Sequence, residues 1–329
     1  ALGGRGEITL LEATPHLLSK VKVSGGGRCN VTHSCFEPSE LVKRYPRGGR
    51  ELLGAFHRFQ PRDTIAWFAA RGVATKTEED GRMFPITDDS ATIADCLLGA
   101  ARQAGVDIRT QTAVRSVERT ALGLKLTLGA GEPLLCDRLI LATGGNKASG
   151  GLAIAESFGH RIVAPVPSLF TFNIKDPRLA DISGVSVEHV EASLVGTKLR
   201  TDGPLLVTHW GLSGPAILQI SSYWNLGEAI DIDLLPGRDA AAELLALQQQ
   251  GHKAELKTVL AEWLPKRLAQ LLCTEFFSNK PVNQYKHTEL RDIAFALQHW
   301  RITPSGTEGY RTAEVTLGGV DTEGVSSSS

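Results

Sequence analysis

This sequence has no excess charge of either sign, no long apolar run and no clustering of cysteine. Lys and Arg number 35 against 36 Asp and Glu, a net charge of −1. The chain as a whole therefore offers no field to draw in nucleic acid or an anionic membrane, and neither is expected as a partner. No stretch approaches the roughly 18 uninterrupted apolar residues of a bilayer-spanning helix. The N-terminus carries no basic-then-apolar export pattern, so a cytoplasmic location is expected. The five cysteines, at 29, 35, 96, 136 and 273, are scattered, and neither a second close pair nor a His cluster completes a zinc site. They read as reduced thiols, and no metal is expected.

Glycine is plentiful, with 34 in 329 residues, and 42% of the chain is hydrophobic, enough for a large core divided into two or three units. Residues 7–12 (EITLLE) follow the glycine turn 3–6 and read as a buried parallel strand ending in an acid. In a dinucleotide-binding βαβ unit this would be the second strand, with Glu12 bonding ribose hydroxyls; a plain surface acid is the alternative. The strand, GxGxxG turn and helix that should precede it are absent. With the fingerprint usually ~20 residues before the acid, a chain lacking its first ~25 residues is expected.

Residues 24–30 read SGGGRCN. Three glycines let the backbone approach a ligand closely, and Arg28 adds a permanent charge with a bidentate fork. Cys29 could be a nucleophile only with a lowered pKa and a nearby base, and a packed thiol is the alternative. Helix is expected over 51–72, with Pro61 opening its second half, and over 91–104 behind a Ser90 cap. Short strands are expected at 73–76, 106–109, 112–117, 122–128 and 134–137, and a second buried strand over 138–145 (RLILATGG). Prolines and β-branched residues up to about 235 suggest an antiparallel β unit, and 239–300 reads as helical, with Pro265 starting a new helix. A last strand is expected over 313–320. His209 could supply an acid or base, or be structural; Arg82 could bind an anion or pair with Glu78, Glu79 or Asp80.

In order along the chain stand Lys20, SGGGRCNVT (24–32), GRMFP (81–85), ATGG (142–145), THWGLSGP (208–215), LPKRL (264–268) and AEVTLGGV (313–320). Together they resemble the aminoacetone-oxidase/BaiN-type FAD-dependent oxidoreductases over essentially the whole chain. The resemblance implies an α/β fold: an incomplete Rossmann-like FAD-binding domain with an inserted antiparallel β-rich domain and a helical lid domain. The boundaries implied are 1–160, 161–236, 237–300 and a return over 301–329. It implies cofactor contacts from Glu12, Lys20, Ser24, Gly25, Gly26, Gly27, Arg28, Cys29, Asn30, Val114, Thr143, Gly144, Gly145, Gly318 and Gly319. Arg28 and His209 are the catalytic candidates, FAD is the cofactor, and NAD(P)H is a candidate electron donor. The implied activity passes hydride between a small organic substrate or NAD(P)H and flavin, then to oxygen or an unsaturated acceptor.

The family's closing C-terminal segment is also missing, so truncation at both ends, with weak FAD retention, is expected. The turn at 146–151 is shorter than in many relatives, which could alter the flavin's surroundings. A non-catalytic flavin-binding or regulatory protein is one alternative. A flavin-dependent RNA-modifying enzyme is another, and the near-neutral charge weighs against it.

Overall fold

Residues 6–145 and 150–326 are described by the computed structural model, and they separate into two units. The first holds residues up to 144, then 150–163 and 320–326; the second holds 145 and 164–319. Part of the glycine turn at 3–6 and of the turn at 146–151 lies outside the described residues.

In the first unit, Thr9–Leu11 pairs in parallel with Asp107–Arg109, Thr9 opposite Asp107. The Glu12 amide extends the ladder by donating to the Arg109 carbonyl at 2.9 Å. The parallel pairing agrees with the sequence, but the burial does not: Leu10 is 42% exposed. The expected strand over 138–145 is absent as well, and Ile140 is 88% exposed. A parallel strand is buried and bonded only through neighbours on both sides, and no described strand lies alongside 138–144.

Three strands, Val114–Thr120, Gly123–Leu128 and Leu134–Cys136, stand close to where short strands are expected and pair antiparallel in sequence order. They pack Val117 and Leu126 against Ile154 of the helix Gly150–Ser157. A smaller sheet places Arg82–Pro85 between Thr32–His33 and Thr75–Thr77. The helices Gly49–Arg58 and Pro61–Ala69 break where proline demands it. The second is closed by a reciprocal cap, in which the Gln60 amide donates to Asp63 Oδ2 at 2.8 Å. The helix Ser90–Gln103 is capped by Asp89, not Ser90: the Asp89 carboxylate accepts from the Ala91 amide at 2.8 Å. Ser90 is the first helical residue, and its hydroxyl instead donates to the Lys22 carbonyl.

The second unit is built on a seven-stranded antiparallel sheet. Its order is Trp300–Ile302, Ile230–Asp233, Ser186–Leu194, Arg200–Val207, Gly211–Ser213, Phe172–Asn173 and Gly306–Thr307. Alternation along 190–194 turns Val190, Ala192 and Leu194 inward. A register shift between Val187 and Val190 restores the inward side of the strand after two exposed residues.

Helices Pro215–Ser221, Ala240–Gln249, Leu256–Trp263, Lys266–Glu275 and His287–Gln298 share one apolar core with that sheet. The β-rich and helical segments therefore do not form separate cores. Leu260, Leu264 and Leu268 are buried as their spacing predicts, and Pro265 stands at the start of Lys266–Glu275. Trp300 does not continue the helical segment but opens the strand at the sheet edge. Among the described residues no helix is long and apolar enough to cross a membrane.

Candidate functional site

The SGGGRCN loop leaves the short helix Ser19–Val23 and turns sharply. Gly25, Gly26 and Gly27 lie at φ 57°, 69° and 87°, a run of left-handed residues that only glycine adopts without strain. Their surroundings differ. A Cβ on Gly25 would stand 2.7 Å from a ring carbon of Phe84 and 2.9 Å from the Asn30 nitrogen, whereas Gly26 and Gly27 face open space with nothing within 4 Å. Gly25 seats the loop on the protein, and the next two residues expose bare backbone.

The end of the loop is pinned. The Cys29 amide donates to the Ser24 carbonyl at 3.0 Å, and the Val31 amide to the Met83 carbonyl at 2.8 Å. Ser24 itself donates to the Val21 carbonyl at 3.0 Å.

Arg28 lies with its guanidinium carbon 4.0 Å from the centroid of the fully buried Phe84 ring. It donates to Glu78 and has Asp88 at 3.6 Å. The hydrogen bond to Glu78, with the charge of Asp88 behind it, raises its pKa further above the ordinary arginine value. Asp88 also accepts from Lys76, and that bond holds its carboxyl below the usual range, with help from Arg28. Sequence reasoning missed Phe84 and Asp88, and it named Glu78 only as a partner for Arg82, which lies 3.5 Å from it. GRMFP was legible as a motif, but its arginine drew the attention that belongs to its phenylalanine.

Cys29 is 5% exposed at φ 64°, packed with Phe68 and Ile93. Burial pushes its thiol pKa up, partly offset by Ser24, which is the reverse of what a nucleophile needs. In the folded protein, iodoacetamide should label half-exposed Cys35 well before Cys29. Peptide mass mapping checks this, and equal labelling would contradict the packed thiol.

The other expected contacts divide between the units. In the first, Glu12 ends its strand with its carboxylate accepting from the Thr14 amide and hydroxyl, both at 2.8 Å. Lys20 is exposed on the helix Ser19–Val23, and Val114 opens its strand. Thr143 fits against Gly151, where a Cβ would fall 2.0 Å from the threonine hydroxyl, and Gly144 lies at φ 78°.

In the second unit, Gly145 faces Thr316, and Gly318 and Gly319 lie at φ 94° and 126° in the strand Val315–Val320. His209 is exposed at the tip of the turn between Arg200–Val207 and Gly211–Ser213, beside Trp210, which has Arg311 5.5 Å from its ring centroid. The structure thus gathers Ser24–Gly27 and Arg28 around Phe84, and it places His209 in the other unit. Among the described residues no group of three His, Cys, Asp or Glu side chains could hold a metal ion.

A parallel strand ending in an acid, followed by a left-handed glycine loop with an open backbone side, is compatible with a Rossmann-type nucleotide-binding domain. More particularly, residues 2–329 match the HI0933-like protein Rossmann domain, and the chain belongs to that family, FAD-dependent oxidoreductases in the broad sense. It is 38% identical to the ribosomal RNA dihydrouridine synthase of Escherichia coli over 94% of this chain and 78% of that protein. It is 33% identical to the ribosomal RNA dihydrouridine synthase of Haemophilus influenzae over 97% of this chain and 81% of that protein. It is 28% identical to the 3-dehydro-bile acid delta(4,6)-reductase of Clostridium scindens over 97% of this chain and 81% of that protein. The expectation of a chain truncated at both ends finds no support in these matches.

Proposed function

We propose that this protein is a flavin-dependent reductase that converts uridine to dihydrouridine in ribosomal RNA, with NAD(P)H as the electron source. The observation that carries the reading is the 38% identity, spread over 94% of the chain, to a protein of that name. It departs from the sequence-based expectation of a small-molecule substrate and no nucleic acid. The net charge of −1 behind that expectation is an average over the whole chain.

The open backbone at Gly26 and Gly27 is the kind of cradle that FAD fits: bare left-handed glycines beside a fixed positive charge. Glu12 would hold the ribose, residues 24–30 the pyrophosphate and flavin, and Val114 the adenine. Lys20, Thr143 and Gly144, in the same unit, would supply further contacts. When bound, FAD supplies hydride chemistry suited to saturating an activated carbon–carbon double bond.

The protein's own part is positional. Glu78 and Asp88 hold the Arg28 charge at one place, and Phe84 seats the loop. Reducing the uracil double bond takes one hydride and one proton. His209, exposed at a turn tip, is the candidate for proton transfer at the substrate side.

The test is to incubate the FAD-loaded protein with NADPH and ribosomal RNA transcribed in vitro, then digest the RNA and measure nucleosides by mass spectrometry. Dihydrouridine should accumulate with time only when protein and NADPH are both present. NADPH-dependent flavin reduction with no dihydrouridine, alongside reduction of a small conjugated enone, would replace this reading with a small-molecule reductase.

A further inference from the structure

The near-neutral total hides one local imbalance. Between residues 43 and 62 stand Lys43, Arg44, Arg47, Arg50, Arg58 and Arg62, against a single acid, Glu51. All six basic side chains are exposed. The segment is not an unstructured tail. It is the turn and helix leading from Val42–Arg44 through Gly49–Arg58 to Pro61–Ala69, within the first unit.

Helical spacing explains the face. Leu52, Leu53 and Phe56 are half-buried on one side of Gly49–Arg58, while Arg50, His57 and Arg58, with the one acid Glu51, fall together on the other, around Gly54. Gly54 has nothing within 4 Å of where a Cβ would stand, so the backbone there lies open between the charges.

Two aromatic rings lie in the same segment. Tyr45 is 41% exposed with its ring 5.6 Å from that of Phe56, and Phe59 is 54% exposed just past the helix end. At the margins Glu40 pairs with Lys43 at 2.7 Å, which takes that lysine out of the imbalance, and Asp63 accepts from the Gln60 amide. Exposed cations interleaved with exposed aromatic rings are the chemistry that grips a single-stranded nucleic acid. The cations track phosphates, and the rings offer faces on which unpaired bases stack.

We infer that the face formed by residues 43–62 is the docking surface for an unpaired stretch of the RNA substrate. This rests on the proposed RNA reading and deepens it, and charge complementarity to a polyanion chooses the occupant. An anionic membrane, which also takes cations beside aromatic rings, is the competing occupant that the vesicle arm of the test separates.

The probe is a fluorescein-labelled oligouridine RNA, titrated with the full-length protein at several salt concentrations and followed by anisotropy. Wild-type affinity should fall steeply with salt. The double variant Arg44→Gln/Arg50→Gln should flatten that log–log slope by about 1.4 and weaken binding on the order of 25-fold near 0.1 M salt, as for two lost phosphate contacts. Phe59→Ala should weaken binding about fivefold or more and leave the slope unchanged, as for a lost stacking face. Melting curves check that the variants are folded, and Arg50→Gln alone, with half the slope change, serves if the double variant melts early.

Variants that bind with wild-type affinity and slope would overturn the surface while leaving the RNA reading intact, provided dihydrouridine still forms on ribosomal RNA. Wild-type protein that ignores oligouridine but binds phosphatidylglycerol vesicles would overturn the surface in favour of a membrane. The same failure together with no dihydrouridine formation would overturn the RNA reading too.

Discussion

Gly211→Ala is expected to destabilise the second unit by roughly 3–5 kcal/mol, the sum of left-handed strain and a backbone clash. Gly211 lies at φ 149°, and a Cβ there would fall 2.4 Å from the Phe172 carbonyl oxygen and 2.6 Å from the Ile174 nitrogen. Neither can yield cheaply. Phe172–Asn173 is paired with Gly211–Ser213 on one side and Gly306–Thr307 on the other, and the Ile174 amide donates to the Trp210 carbonyl at 2.9 Å. Gly196→Ala is the matched comparison: its φ is 80°, but nothing stands within 4 Å, so about 1–2 kcal/mol is expected from conformation alone. Urea unfolding followed by tryptophan fluorescence reads both variants, because Trp210, Trp224, Trp263 and Trp300 all lie in this unit. Equal midpoints for the two variants would show that the crowding at Gly211 is not real.

The second large effect concerns the glycine loop. Gly25→Ala should cut FAD affinity by well over tenfold, because the new methyl cannot coexist with the Phe84 ring at 2.7 Å. Phe84 is fully buried and cannot retreat, so the loop must lift, taking Arg28 off the ring face. Gly26→Ala separates the two contributions. It meets no protein atom, so it should leave melting within about 1–2 kcal/mol of wild type, the cost of a left-handed alanine. It should nevertheless weaken FAD, since the methyl occupies the open side of the backbone. Flavin fluorescence quenching gives the dissociation constants, and melting of the apoprotein gives the stability. If Gly26→Ala binds FAD as well as wild type does, the ligand lies elsewhere.

Local signals were the legible ones. The helix breaks at Pro61 and Pro265, the short strands between 114 and 136 and the apolar face through Leu260 and Leu268 all follow from spacing and from what proline cannot do. The glycine loop was legible as a turn of bare backbone, because three glycines in a row open the left-handed region to the chain. Features that depend on distant partners were not legible. Residues 138–144 have the composition of a buried strand, yet a strand exists only beside another. Trp300 sits two residues past a helix in sequence but opens a sheet edge, because Ile230–Asp233 is there to receive it. Arg28 could be seen as a charge, but its engagement by Glu78 and Asp88, 50 and 60 residues on, could not. The basic face escaped notice because summing charge over 329 residues erases a segment of twenty.

The ion pairs around the loop have a consequence for how an anion arrives. Arg28, Lys76 and Arg82 are matched by Glu78, Asp80 and Asp88 within 4 Å. So compact an arrangement has almost no monopole, and its potential dies away faster than the ~8–10 Å Debye screening length. An approaching polyanion feels little from the loop until it is nearly in place. The exposed segment from 43 to 62 carries more basic than acidic side chains, so its charge reaches further and can raise the rate of encounter. Capture and selection are thereby assigned to different charges, one set acting at a distance and the other only on contact.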